Sequence, residues 1–432
     1  MSAYSPFLPD LLLLALAVSV LAMDLWKEDR EAGFHLTWIG LAALCTWLAM
    51  GWGHRPFQGI YFSGYLVNGE TRVWKLLFTL AALGTVLLSR PYFRPGGNAR
   101  GTLAKSGAFF GLLLLCLQGM FALVSAMNLL VFYLGLELAT MPIYALAAFQ
   151  PRDPDSIEAG SKYVLMGGFS SALTLFGISF LYGAAGSLDF HAVWAVADRE
   201  VMFNGAFEPA LWGGAFFLLG GLGFKLAMAP LHMWAPDVYQ GAPTPVMAFL
   251  SVGSKAAAVA AFATMFLVAS PLRPMLGALS PFFAAAAVLS MVAGNLGAMR
   301  QTDLRRFVAY SSVAQAGYML LGLVGSIDLA APALRYNLVA YGVTSFALYF
   351  IMSVIGKEGP ETRQGLRGLS HRHPGLALLL VLCMFSLAGI PPLAGFLGKF
   401  MLFSAAAAQG HYVLVAIALA NAVVSFYYYM LV

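Results

Sequence analysis

Stretches of about 20 apolar residues recur along nearly the whole chain, each closed by a short cluster of Gly, Pro, Asp, Asn, Lys or Arg. Runs of that length match the hydrocarbon thickness of a bilayer. They predict spans over 7–25, 34–51, 73–89, 107–125, 128–149, 161–182, 211–229, 243–269, 281–299, 305–324, 334–355, 375–403 and 412–432, thirteen in all. In lipid, backbone polar groups must be satisfied within the segment, so the spans are expected to be helices. Short alternating segments of the kind a β-barrel needs do not occur. Two spans are interrupted. Pro230 breaks the seventh, and Gly389, Pro391, Pro392 and Gly395 break the twelfth. Broken spans at matching places are the mark of inverted repeats. The seventh and twelfth stand five apart, which predicts two five-helix repeats, spans 4–8 and 9–13. The expected organisation is helices 1–3 within 1–106, a first repeat at 107–269 and a second at 281–432, in an all-α polytopic membrane protein.

Composition sharpens this picture. The chain is 60% hydrophobic and 10% charged, with a mean hydropathy of +0.80, outside the range of soluble domains. The first span has no basic segment before it and runs into DLWKEDRE, which reads as a retained helix rather than a cleaved signal. Loops after odd-numbered spans, taken with Arg305 and Arg306 at the edge of the following span, hold fourteen Lys and Arg residues, against five on the other side, where Arg335 at a span edge is included. Basic loops stay cytoplasmic, so the N-terminus is expected outside a bacterial inner membrane. The net charge of +5 therefore follows from topology and points to no nucleic acid. Cys45, Cys116 and Cys383 each stand alone in an apolar span, the pattern of small core residues. Neither a dinucleotide fingerprint nor a phosphate-binding loop appears; Gly395–Lys399 resembles the latter but ends in Phe400. No nucleotide, flavin or metal is expected on this chain.

Besides the arginines at span edges, the remaining five basic residues, Lys75, Lys162, Lys225, Lys255 and Lys399, fall inside spans, and all five are lysines. A charge at mid-bilayer costs at least ~2.5–3.5 kcal/mol. Lysine can lose its proton when desolvated, whereas arginine keeps its charge. Lys225 and Lys399 each lie beside a break, several turns from a span start. Structural explanations compete for each group. Lys75 is expected to snorkel to the interface. Lys162 stands four residues after Glu158 and could form a helical ion pair. Glu137 could serve a kink at Pro142, His232 could be a satisfied loop residue, and Asp237 is expected to cap or salt-bridge near the break.

The segments GLGFKLAMAPLHMWAPDVYQGAPTPV, GNLGAMRQTDLRRFVAYSSVAQAGYM and SLAGIPPLAGFLGKF resemble the antiporter-like membrane subunits of respiratory complex I. The resemblance is to the subunit N branch and runs from about Leu112 to the C-terminus. It implies fourteen helices with the inverted repeat; the last does not fall within the thirteen spans, so it is expected either to be cut from this sequence or to be lacking in the product. It implies proton transfer driven by quinone reduction elsewhere, with Glu137, Lys162 (near Glu137), Lys225, His232, Lys255 and Lys399 as the participating residues. NADH, FMN, iron–sulfur clusters and quinone would belong to partner subunits, and neighbouring antiporter-like subunits would flank this chain in the bilayer. Where the family often carries a histidine in the tenth span, this chain has Gln315, which can hold water but cannot carry a proton. The alternatives are a subunit of a multisubunit monovalent cation/proton antiporter, or a purely structural subunit.

The orientation has a direct test. A cysteine placed in the 357–372 loop should react with a membrane-impermeant thiol reagent only from the cytoplasmic side, and one in the 186–208 loop only from outside. The reverse labelling would overturn the fourteen-to-five argument.

Overall fold

The computed structural model describes residues 7–26, 30–51, 59–61, 64–93, 106–199, 209–268, 274–325, 327–356 and 358–432. Among them, twelve helices are long and apolar enough to cross a membrane. Two shorter apolar helices, Pro374–Ala388 and Ala394–Ala407, together make the broken span expected at 375–403. The protein is thus a predominantly helical, multi-pass membrane protein, and the chain divides into two compact units.

The first unit comprises Met1–Leu222 and Gly241–Pro274. It contains α1 (Leu8–Trp26), α2 (Arg30–Met50), α3 (Gly69–Phe93), α4 (Ser106–Ser125), α5 (Leu129–Ala147), α6 (Pro154–Ala185), the short α7 (Phe190–Arg199) and α8 (Pro209–Leu226). Its last span is α10 (Thr244–Phe249), a π-helical turn at Leu250–Ser254, α11 (Lys255–Phe262) and a second π turn at Ala263–Val268. Local signals set the boundaries. Asn128 caps α5 by accepting from the Leu130 amide. Asp153 caps α6, Pro154 opens it, and Gly186 ends it in the left-handed region. This cap starts α6 earlier than the expected 161, so Glu158 and Lys162 both lie within it. Helices α4 and α5 approach closely because Gly135 has no Cβ; one there would lie 2.7 Å from the Leu123 amide nitrogen. Cys116 fits its core assignment, its thiol donating to the Ala139 carbonyl at 3.0 Å.

Two features of this unit were not expected. A hairpin of β1 (Gly59–Tyr61) and β2 (Tyr65–Val67) pairs Ile60 with Leu66 between α2 and α3. Lys75 does not snorkel. It is 4% exposed, and its ammonium donates to Asp10 Oδ2 at 2.9 Å and to the Tyr65 hydroxyl at 2.9 Å. Tyr65 in turn donates to Asp10 Oδ1 at 2.5 Å. Burial, then the neighbouring Asp10 carboxylate, pushes the Tyr65 phenol well above its usual range, so it remains a donor. A lysine one turn inside a helix reaches water only when nothing nearer satisfies it, and here α1 supplies a carboxylate.

The second unit comprises Gly223–Gln240 and Met275–Val432. It holds the end of α8, then α9 (Trp234–Gly241, to Gln240), α12 (Pro274–Met299), α13 (Leu304–Val324), α14 (Ile327–Ile355), α15 (Leu369–Arg372), α16 (Pro374–Ala388), α17 (Ala394–Ala407) and α18 (Tyr412–Met430). Residues 223–240, expected within the first repeat, are therefore assigned here. Charged contacts explain the assignment. Arg306 donates to Asp237 Oδ1 at 2.7 Å and to Gln240 Oε1 at 2.9 Å, as Asp237 was expected to salt-bridge. Buried Arg305 is ion-paired with Glu361 and donates to the Gln240 carbonyl at 3.3 Å. In each series of five spans the fourth is broken: α8/α9 after α4, α5 and α6, and α16/α17 after α12, α13 and α14.

Replacing Asp10 with Asn should strand the Lys75 ammonium in the core and lower stability by about 3–5 kcal/mol. Adding Lys75→Met should recover most of that loss, because neither charge then needs a partner. Thermal unfolding of the purified protein in lipid nanodiscs, run as a double-mutant cycle, measures the coupling. Additive effects would show the two groups to be independent.

Candidate functional site

The two broken helices end alike. At the C-terminus of α8, Ala227 takes a left-handed conformation (φ 57°), and the Met228 amide reaches back to the Gly223 carbonyl at 2.8 Å. At the C-terminus of α16, Gly389 takes the same conformation (φ 87°), and the Ile390 amide reaches back to the Phe385 carbonyl at 3.0 Å. This is the helix stop in which an amide five residues on closes the last turn. Glycine adopts the conformation freely, whereas alanine pays roughly 1–2 kcal/mol for it. Strain of this kind concentrates at functional sites. Each stop is followed by a cis X–Pro bond, Ala229–Pro230 and Pro391–Pro392.

A helix ended at membrane depth leaves amides and carbonyls that water cannot reach. Side chains satisfy them. The Trp234 indole donates to the Phe224 carbonyl at 3.0 Å, and Ser290 Oγ accepts from the Ala229 amide at 2.9 Å. At the second break the partner is a lysine. Lys399 Nζ donates to the Leu387 carbonyl at 2.8 Å and the Ala388 carbonyl at 3.0 Å. The ammonium thus caps the negative end of α16. Gly395 makes that approach possible, since a Cβ there would overlap the Ser386 carbonyl oxygen. The Tyr318 ring centroid lies 4.6 Å from Lys399 Nζ, within cation–π range.

The other residues singled out from sequence fall as follows. Lys225 is 5% exposed and sits two residues before the stop of α8. His232 follows in the turn before α9; it is half-buried, and its Nδ1 has no hydrogen-bond partner among the described residues. Lys255 is 1% exposed and opens α11 directly after a π turn. Such turns widen the helix locally and recur at functional sites. Gln315 on α13 is buried and donates to the same Leu387 carbonyl that Lys399 uses, at 3.2 Å.

Glu137 and Lys162 are not brought together. Glu137 Oε1 accepts from Ser171 Oγ of α6 at 2.5 Å. Lys162 lies nine residues before Ser171 on the same helix, roughly 13 Å of axis. It forms an ion pair with Glu158 at 2.7 Å, pointing back toward the start of α6, with 42% of its side chain exposed. The i,i+4 spacing that competed with the implied pairing decides its geometry. Sequence reading missed Ser171, Tyr318 and Asn337, which are ordinary polar or aromatic residues in apolar runs and carry no local signal. It also missed the Asp10–Lys75 pair, although opposite charges in the first and third spans were a usable clue.

A multi-pass helical protein with two broken spans, each bearing a buried lysine beside its break, has the architecture of the antiporter-like membrane subunits. The profile of the family described as NADH:quinone oxidoreductase/Mrp antiporter, TM, matches residues 126–425, and the chain belongs to this family. It is 40% identical to NADH-quinone oxidoreductase subunit N of Moorella thermoacetica over 426 residues, covering 98% of this chain and 86% of the relative. It is likewise 40% identical to subunit N of Desulfovibrio desulfuricans, covering 98% and 84%. Among solved structures it is similar to a chain of respiratory complex I from Thermus thermophilus with bound aureothin, with TM-score 0.80, 34% identity and coverage of 98% and 88%. A chain of the Mrp complex from Dietzia sp. DQ12-45-1b shares the fold, with TM-score 0.82 at 18% identity, covering 100% of this chain and 79% of that one.

The close approach at the second break can be tested by adding one methyl group. Gly395→Ala forces Cβ into backbone and should lower stability by about 1–3 kcal/mol or more. Gly375→Ala, at the start of α16 with nothing within 4 Å of the added carbon, should be near neutral. Thermal unfolding of the two variants side by side checks this; equal stability would refute the packing at the break.

Proposed function

We propose that this chain is the proton-translocating membrane subunit of an NADH–quinone oxidoreductase, coupling quinone reduction in partner subunits to proton transfer along its buried lysines. One observation carries the reading: two helices are broken alike at membrane depth, and each bears a buried lysine at its break. A polypeptide that only packed against its neighbours would gain nothing from charges that cost several kcal/mol each to bury. Relatives at 40% identity named NADH-quinone oxidoreductase subunit N support the choice of complex. The likeness to the Mrp chain concerns the fold alone and does not favour a cation antiporter.

The proposed participants are Lys225, His232, Lys255 and Lys399 as proton-exchanging groups, with Glu137 and Lys162 biasing them electrostatically. With Glu137 bonded to Ser171 and Lys162 to Glu158, these two charges start apart. The bias therefore comes from charge changes on each group rather than from the opening of a direct ion pair. The energies are commensurate. Moving one charge across 100 mV takes ~2.3 kcal/mol, and a two-unit pKa change supplies ~2.7 kcal/mol. His232, with an unfilled Nδ1, has a free position for a water or a proton. The redox cofactors are assigned to partner subunits and the site of action to a bacterial inner membrane, N-terminus outside.

Substitution at Lys225 separates exchange from a static field. Arginine keeps the charge at any accessible pH and methionine never has it. If Lys225 exchanges protons, Lys225→Arg and Lys225→Met should both impair quinone-coupled proton uptake in vesicles, and by similar amounts. Assembly of the complex is confirmed first. Lys225→Arg pumping like the native protein would reject proton exchange at this residue.

A further inference from the structure

Beside Lys399 lies a small cavity between α13, α14, α16 and α17. About 10 Å³ of it is open to the centre of a water molecule, the room one water needs. Its polar lining is Gln315, Asn337, Tyr341, Thr344, Ser386 and Lys399. Two of these have donors left over. An ammonium carries three N–H groups; Lys399 spends two on the Leu387 and Ala388 carbonyls. The Tyr318 ring offers its face but no lone pair in the ring plane. Asn337, 3% exposed, has an Nδ2 with no partner among the described residues. Its Oδ1 lies against Gly398, where a Cβ would come within 2.7 Å, which seats the amide beside Lys399. Across the cavity, Thr344 donates to the Ala340 carbonyl at 2.8 Å and shares a 3.0 Å hydrogen bond with Ser386 Oγ. Thr344 has thus spent its proton, Ser386 must donate to it, and both oxygens keep lone pairs.

We propose that the cavity holds one ordered water that accepts from Lys399 and from Asn337 and donates to the Ser386–Thr344 hydroxyl pair, with Asn337 as its positioning residue. One water has two acceptor and two donor positions, which matches two unused donors facing two hydroxyls with free lone pairs. Leaving buried donors unmet is costly, and a polar cavity of this size fills. The water takes the third N–H of the Lys399 ammonium; its bearing on proton transfer rests on the reading of that lysine proposed above.

The assembled complex in lipid nanodiscs, imaged at a resolution that shows waters, gives the first readout. Density should appear within hydrogen-bonding distance of both Lys399 Nζ and Asn337 Nδ2. It should persist in Asn337→Ser, which keeps a hydroxyl and room, and vanish in Asn337→Leu, which fills the space. The rate of quinone-coupled proton uptake should fall about tenfold in Asn337→Leu, the equivalent of one neutral hydrogen bond of about 1.4 kcal/mol, and be largely rescued in Asn337→Ser. The KM for quinone should not move. A dry cavity in the native complex, or Asn337→Leu pumping normally, would overturn the water site. Lys399→Met in the same preparation separates the two claims. If it abolishes pumping while Asn337→Leu does not, only the water site fails; if it pumps normally, proton transfer through Lys399 fails as well.

Discussion

A helix broken inside a bilayer must be repaired by the protein itself. Bulk water does not reach it, and each unmet amide or carbonyl costs several kcal/mol. The two breaks in this chain meet that demand with the same backbone stop, then with different side chains. Trp234 and Ser290 serve the first, and the ammonium of Lys399 serves the second. At the second break the cost of burying a charge and the cost of exposing carbonyls offset one another. A cation at the negative end of a half-helix is held by two carbonyls and a dipole.

The same economy explains the rest of the charged framework. Asp10, Tyr65 and Lys75 satisfy one another where α1, the hairpin and α3 meet. Arg305 and Arg306 hold Gln240, Asp237 and Glu361, joining α9 and the segment before α15 to the start of α13. Removing one member of such a buried set leaves its partner unpaired, which is why these contacts define the packing although their net contribution is small. Lys399 differs from these in what it meets. Lys75 faces a carboxylate, whereas Lys399 faces carbonyls, a ring and hydroxyls.

Glu137 and Lys162 illustrate how local geometry overrides an implied pairing. On α6 the carboxylate of Glu158 is one turn away from Lys162, and an i,i+4 pair forms at little entropic cost. Glu137 meets α6 at Ser171, further along the same helix, and accepts a hydrogen bond from its hydroxyl there. Two acidic groups thus flank the lysine's reach, and the nearer one holds it.

The membrane class, the spans, the two breaks and the buried lysines were legible in the sequence, because hydropathy over about 20 residues and the backbone chemistry of Pro and Gly are local properties. The salt bridge of Asp237 followed from its place near a break. The partners of each charge were not legible. Asp10 lies 65 residues from Lys75, Ser171 lies 34 from Glu137, and Leu387 lies 72 from Gln315. No periodicity connects positions on different helices; only the packed structure decides which rotations and depths bring them into contact. The π turn before Lys255, the hairpin between α2 and α3, and the placing of residues 223–240 with the second unit belong to the same category. Sequence determined where charge enters the membrane, and tertiary packing decided what each charge meets there, since a hydrogen bond depends on distances of a few ångströms that the order of residues does not encode.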